Sequence, residues 1–181
     1  MPTSQSSKSY NLPNGSHINI TGLDLPNLKK KLAEIAKYHT GVKVGVINGA
    51  TYADGTKVAY VAYKNEFGGP NPPRPFMKRT LDTNIDKWIN GIKANVKGVA
   101  YNPNVINRAF KLCGEVAAGD MKITIKQWSP DDPRPNSPAT IAAKAARGRN
   151  GKNQKAINPN TVLIDTGTMI NSIDYEVVNS L

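Results

Sequence analysis

The carboxylate with the most suggestive surroundings is Asp165. It follows the apolar pair Leu163-Ile164 and precedes Thr166-Gly167, the kind of loop that carries half of a shared-proton carboxylate dyad in peptide hydrolysis. That chemistry needs two such carboxylates around one water. The other Asp-Thr pair, Asp82-Thr83, continues to Asn84 inside a strongly helical stretch. The residues after Met169 suffice for a short helix and one strand, too little for the flap and barrel such an enzyme builds. The sequence therefore assigns Asp165, Thr166 and Gly167 to a structural turn and cap. Asp165 or Thr166 accepts a bond from the first N–H groups of a short helix over Thr168 to Ser172. Gly167 permits the tight turn, and Met169, Ile170 and Ile173 face inward.

Other reactive groups are sparse. Cys113 is the single cysteine, set among Phe110, Leu112 and Val116, which reads as a buried, inert thiol. With His17 and His39 as the two histidines, neither a catalytic thiol pair nor a structural zinc site is expected. His39 reads as a helix C-terminal cation. Asp131-Asp132 are adjacent, so their side chains diverge. "GGPNPP" lacks the Gly-Lys-Ser/Thr ending of a phosphate loop. No catalytic residue, cofactor or metal ligand is assigned, and the chain is read as a non-enzyme.

The remaining chemistry is charge. The 181 residues carry a formal net charge of +11, a field suited to polyanions or acidic protein surfaces. Lys144, Arg147, Arg149, Lys152 and Lys155 cluster in a stretch without an acid. They are candidates for contact with DNA phosphates or with an acidic partner. Aromatic interleaving, the mark of single-strand binding, is missing there.

These residues need elements to hold them. Residues 1–20 are rich in Ser, Asn and Pro and read as a flexible N-terminal arm. The apolar stripe Leu25, Leu28, Leu32, Ile35 and Ala36 predicts a helix ended by Gly41. "VKVGVING" reads as a strand. "KVAYVAYKNEFGG" fits a helix or a strand; a cap in "ADGT" and a stop at Gly68-Gly69 favour the helix. Met77, Leu81, Ile85, Trp88, Ile92 and Val96 mark the clearest amphipathic helix. A second runs from Pro103 to about Met121. Residues 129–161 are turn-rich, with one short helix at "ATIAAKAAR", and form a long loop excursion. Ile173 to Val178 closes as a strand. The expected fold is one α+β domain over 21–181, a small, mostly antiparallel sheet with two long helices packed on one face. No stretch of the sequence reaches the roughly 20 apolar residues a membrane span needs, and the N-terminus does not read as a signal peptide.

Four motifs occur in order: Asn65-Glu66-Phe67-Gly68, then Pro72-Pro73-Arg74-Pro75-Phe76, then "SPATIAAK" from Ser137 to Lys144, then "LIDTGTMINSI" from Leu163 to Ile173. Over roughly residues 42–178 this pattern resembles the neck and tail-completion proteins of long-tailed bacteriophages, a family also described as putative tail component or virion morphogenesis protein. The resemblance implies a non-enzymatic part of the virion, assembled in the host cytoplasm. It implies a homo-oligomeric ring, hexamer or dodecamer, at the head-to-tail connection, with DNA passing through its lumen. Partners would be copies of the chain and portal, adaptor or tail-tube and terminator proteins. Pro72, Pro73, Arg74 and Pro75 would lie at the subunit interface, with Arg74 projecting toward a neighbour's carboxylate. A reading of a different class is a DNA-binding accessory protein that uses the basic loop.

Overall fold

A computed structural model of the chain describes residues 8–11, 17–20, 40–69, 71–97, 102–128, 135–150 and 158–178. The chain divides into two compact units, residues 1–39 and residues 40–179, so the division falls later than the boundary expected near residue 21. In the first unit, β1 (Lys8–Asn11) pairs antiparallel with β2 (His17–Ile20). The expected flexible arm thus contains a hairpin. The intervening sequence holds Pro13-Asn14-Gly15, a turn-forming combination that composition alone obscures. The predicted helix before Gly41, with His39, lies outside the described residues, as do Asp131 and Asp132.

The second unit is α+β. β3 (Gly41–Val46) and β4 (Ile173–Val178) form a two-stranded antiparallel sheet in which Val42, Val44 and Val46 pair with Val177, Tyr175 and Ile173. The apolar residues alternate on both strands, so they share one face. Between the strands run α1 (Val58–Phe67), α2 (Phe76–Val96), α3 (Pro103–Lys126), α4 (Pro138–Asn150) and the one-turn α5 (Thr168–Asn171). The two long helices cover one face of the sheet. α3 lies directly on both strands, and α2 packs along α3.

Local rules account for these elements. The ambiguous segment after residue 57 is a helix, α1. Its start, however, is Lys57, with no side-chain cap bond. The "ADGT" expected to cap it closes a turn, in which Asp54 Oδ1 accepts from Thr56 N at 2.9 Å and Tyr52 N donates to the Thr56 carbonyl at 2.8 Å. α3 begins as its sequence requires: Asn102 accepts from Asn104 N at 3.0 Å and Pro103 occupies the first turn. It runs on to Lys126, past the expected end near Met121, because Ile125 and Trp128 are buried in the core.

α3 approaches the sheet closely at Gly114. A Cβ built there would sit 2.3 Å from Tyr175 Cδ2 and 2.8 Å from Val42 Cγ2, so a hydrogen is the largest substituent that fits. Gly114, Ala117, Ala118, Met121 and Ile125 form the buried side of α3. The core gathers Val58, Phe76, Met121, Ile125, Trp128, Val162, Ile170 and Ile173. Met169, Ile170 and Ile173 all point inward as the sequence predicts. No helix among the described residues is long and apolar enough to cross a membrane.

Candidate functional site

The four sequence motifs, spread from Asn65 to Ile173, meet at one junction. Its centre is a cavity of about 810 Å³ with mixed polar and apolar walls, lined in part by Asn65, Arg74, Asn136, Lys144 and the Ile164–Met169 segment.

The first motif ends α1 and starts α2. The Asn65 side chain donates to the Val61 carbonyl at 2.9 Å and reaches Met169 Sδ at 3.8 Å. Glu66 is 7% exposed, and its two carboxylate oxygens accept from Met77 N and Lys78 N, each at 2.8 Å. A carboxylate on the first amides of a helix satisfies orphan donors and complements the helix dipole. α2 has no other side-chain cap from its own N-cap residue, Pro75. Sequence reasoning missed this role, because the capping carboxylate lies ten residues upstream of α2 on another helix.

The second motif bridges the gap. Arg74 N donates to the Asn65 carbonyl, and Phe76 N to the Arg74 carbonyl. Phe76 anchors the segment with no exposed surface. Arg74 itself corrects an expectation. It does not project outward but is 8% exposed, and its Nη2 donates to the Pro135 carbonyl at 3.4 Å. The fixed φ of the flanking prolines turns residue 74 toward its own chain. Pro72 and Pro73 are exposed, while Pro75 is half-buried.

The third and fourth motifs lock together. Ser137 Oγ accepts from Thr140 N at 3.2 Å, an N-cap with Pro138 in the first turn of α4. Asn136, itself buried, donates to the carbonyls of Pro159 and Thr161, both at 3.1 Å. Lys144 Nζ donates to the carbonyls of Thr161 and Ile164, both at 2.7 Å. To aim both carbonyls at one ammonium the chain bends at Leu163, whose φ is +63°, a conformation that costs a β-carbon residue energy. Lys144 is therefore a half-buried clamp within its own chain. Arg147 and Arg149 fall in α4, and Lys152 and Lys155 lie outside the described residues.

The Asp-Thr-Gly turn behaves as a cap, with Thr166 as the acceptor. Thr166 Oγ1 accepts from Thr168 N at 3.3 Å and shares a 2.7 Å contact with Thr168 Oγ1. Gly167 is the left-handed N-cap of α5, with φ +83°, a region glycine enters without steric cost. Asp165 is exposed and acts on Tyr52 across the cavity. Burial first, then the charges of Asp165 and Asp54, push the Tyr52 phenol above its usual range. Among the described residues, no group of three or more His, Cys, Asp or Glu is gathered to hold a metal ion. The junction's donors and acceptors hold its segments together, which is the chemistry of a lock.

Two apolar surfaces flank this lock. On α1, Tyr60, Tyr63 and Phe67 are 56%, 56% and 70% exposed. The Tyr63 and Phe67 rings meet in a tilted pair with centroids 4.9 Å apart, and Lys64 Nζ lies 5.5 Å from the Tyr60 ring. The helical spacing sets all three rings on one ridge. The second surface is a groove of about 710 Å³ between β3, α2 and α3, whose lining is almost wholly apolar. No family model, curated protein or solved structure matches the chain.

Proposed function

We propose that this chain is a structural subunit of the head-to-tail connection of a tailed bacteriophage, a neck or tail-completion ring through whose lumen DNA passes. The observation that carries this reading is the aromatic ridge of Tyr60, Tyr63 and Phe67 beside the exposed Pro72 and Pro73. Three large rings held on one rigid helix are a poor solvent-facing surface and a good contact surface. Each ring has roughly 100 Å² left to bury, so together they offer about 7 kcal/mol of gross apolar stabilisation. Association costs about 4–15 kcal/mol, so a single contact of this size is marginal. A ring, in which every subunit makes the contact twice, closes it cooperatively.

In this reading the four motifs fix how α1 leads into α2 through the Pro72-Pro73 segment, so that neighbouring copies meet one rigid surface. The deciding experiment is electron microscopy of particles assembled without this protein. Filled heads beside separate, unjoined tails support the reading. Complete tailed particles overturn it.

A further inference from the structure

The dipeptide Asn-Gly occurs four times in the sequence, beginning at Asn14, Asn48, Asn90 and Asn150. Such a pair carries its own electrophile and nucleophile. The electrophile is the side-chain amide carbon, Cγ; the nucleophile is the backbone nitrogen of the next residue, which glycine leaves unobstructed by any β-carbon. Two of the pairs, Asn48-Gly49 and Asn90-Gly91, lie wholly among the described residues, and each follows an isoleucine, Ile47 and Ile89. All four residues of these two pairs are exposed. Neither local sequence nor solvent access separates the two sites. Backbone conformation does.

Asn90-Gly91 lies inside α2. There a residue's N–H is bonded to the carbonyl four positions back, so the Gly91 nitrogen is held toward Lys87. The helix must open before that nitrogen reaches the Asn90 side chain. Asn48-Gly49 instead leads out of β3, beyond its last residue, Val46. Among the described residues no hydrogen bond engages the Gly49 N–H. Gly49 stands at φ +65°, and a β-carbon built there would meet nothing within 4 Å, so water and hydroxide reach this nitrogen. The Asn48 side chain is tied through Nδ2, which donates to Asp174 Oδ2 at 3.2 Å. A long, exposed bond of this kind is readily exchanged for water.

We infer that Asn48 is a self-modification site, where the folded chain converts an amide into an acid in preference to Asn90. The Gly49 nitrogen gives its proton to hydroxide and attacks Asn48 Cγ. An N–Cγ bond forms, the Cγ–Nδ2 bond breaks, and the side-chain nitrogen takes a proton from water and leaves as ammonia. Water then opens the cyclic imide at one of its two carbonyls, giving aspartate or isoaspartate. No electrons are gained or lost. The consequence is local. Where Nδ2 donated to Asp174, a carboxylate faces a carboxylate, and like charges repel. Asp174 opposes Gly45 and adjoins the terminal Val46–Ile173 pair of the sheet, so the tie between the exit of β3 and the start of β4 is loosened. The inference uses neither the aromatic ridge nor the ring reading.

The experiment incubates the full chain in mildly alkaline buffer, folded and in urea, and follows amide loss at Asn48 and Asn90 by mass spectrometry of digests. In the folded chain Asn48 is expected to react about tenfold faster than Asn90 or more, giving both aspartate and isoaspartate. In urea the shared Ile-Asn-Gly context brings the two rates within about threefold of each other. Asn48→Gln, whose longer side chain would have to close a larger ring, abolishes the reaction at this position. Asn48→Asp, the unbranched product, is expected to melt about 2 °C below the parent. The inference is overturned if Asn48 reacts no faster than Asn90 in the folded chain, or if aspartate is formed there without isoaspartate. Equal melting of the parent and Asn48→Asp refutes the loosening of the sheet.

Discussion

If the Asn-Glu-Phe-Gly motif is a folding element, Glu66 is where it is most easily exposed. The carboxylate accepts two backbone amides at 2.8 Å in a site 7% exposed. A hydrogen bond to a charged acceptor contributes about 1.5–3 kcal/mol, more than a neutral one. Glu66→Gln keeps the shape but leaves one acceptor and turns an NH2 group toward a donor. One charge-assisted bond is lost and one amide is left facing a donor, for a cost of about 2–3 kcal/mol. Glu66→Ala removes both bonds and costs about 3–5 kcal/mol. At the size of this unit each kcal/mol moves the melting temperature by about 2–4 °C. The glutamine variant should therefore melt roughly 5–10 °C lower when helix content is followed by far-ultraviolet circular dichroism. The next residue supplies the control: Phe67→Ser, at a position 70% exposed, should change stability by no more than about 0.5 kcal/mol. A glutamine variant that melts within a degree of the parent would refute the claim that Glu66 caps α2.

Gly114→Ala drives a methyl toward Tyr175 and Val42 and should destabilise by about 1–3 kcal/mol, measurable by urea titration; part of the loss should return when Tyr175 is trimmed to Leu. Lys144→Met removes the donor shared by the Thr161 and Ile164 carbonyls and should cost about 2–4 kcal/mol while speeding proteolysis near residues 158–164. The DNA-binding alternative is separable from it: there, neutralising Arg147, Arg149 and Lys152 flattens the salt dependence of duplex retention by roughly 0.9 per lost contact, whereas the assembly reading expects no change. Burial pushes the Cys113 thiol above its usual range. The folded chain then holds that proton more tightly than the unfolded chain, so this contribution to stability is present below the unfolded thiol's pKa and declines as pH rises past it. Alkylation of the folded protein should accordingly set in at higher pH than alkylation in urea, and coincident profiles would count against desolvation of this half-buried thiol.

Much of this architecture could be read from residue spacing. The four-residue steps of Met77, Leu81 and Ile85 and the alternation of Val42, Val44 and Val46 depend on local periodicity, which packing against one core preserves. The Pro103 start and the Thr166-Gly167 turn were readable because capping is local. The hairpin at 8–20 was not, since its few apolar residues sit within a polar composition. Arg74 was misjudged for a related reason: an arginine between prolines suggests a solvent-facing segment, and only the fold brings the Pro135 carbonyl beside it. Glu66, Asn136 and Lys144 act across 11 to 25 positions of sequence. Such bonds leave no periodic trace. The motifs were visible as patterns, while the lock they build was not.

The bare backbone at Gly114 has one more effect. Along the same side of α3, the positions one turn away are Phe110, Lys111, Ala117 and Ala118, and each carries at least a methyl where Tyr175 leaves space for none. The helix therefore cannot creep along the strands by a turn in either direction. Gly114 works as a notch that admits a single seating, and it fixes where every other residue of α3, including those that floor the groove, comes to rest.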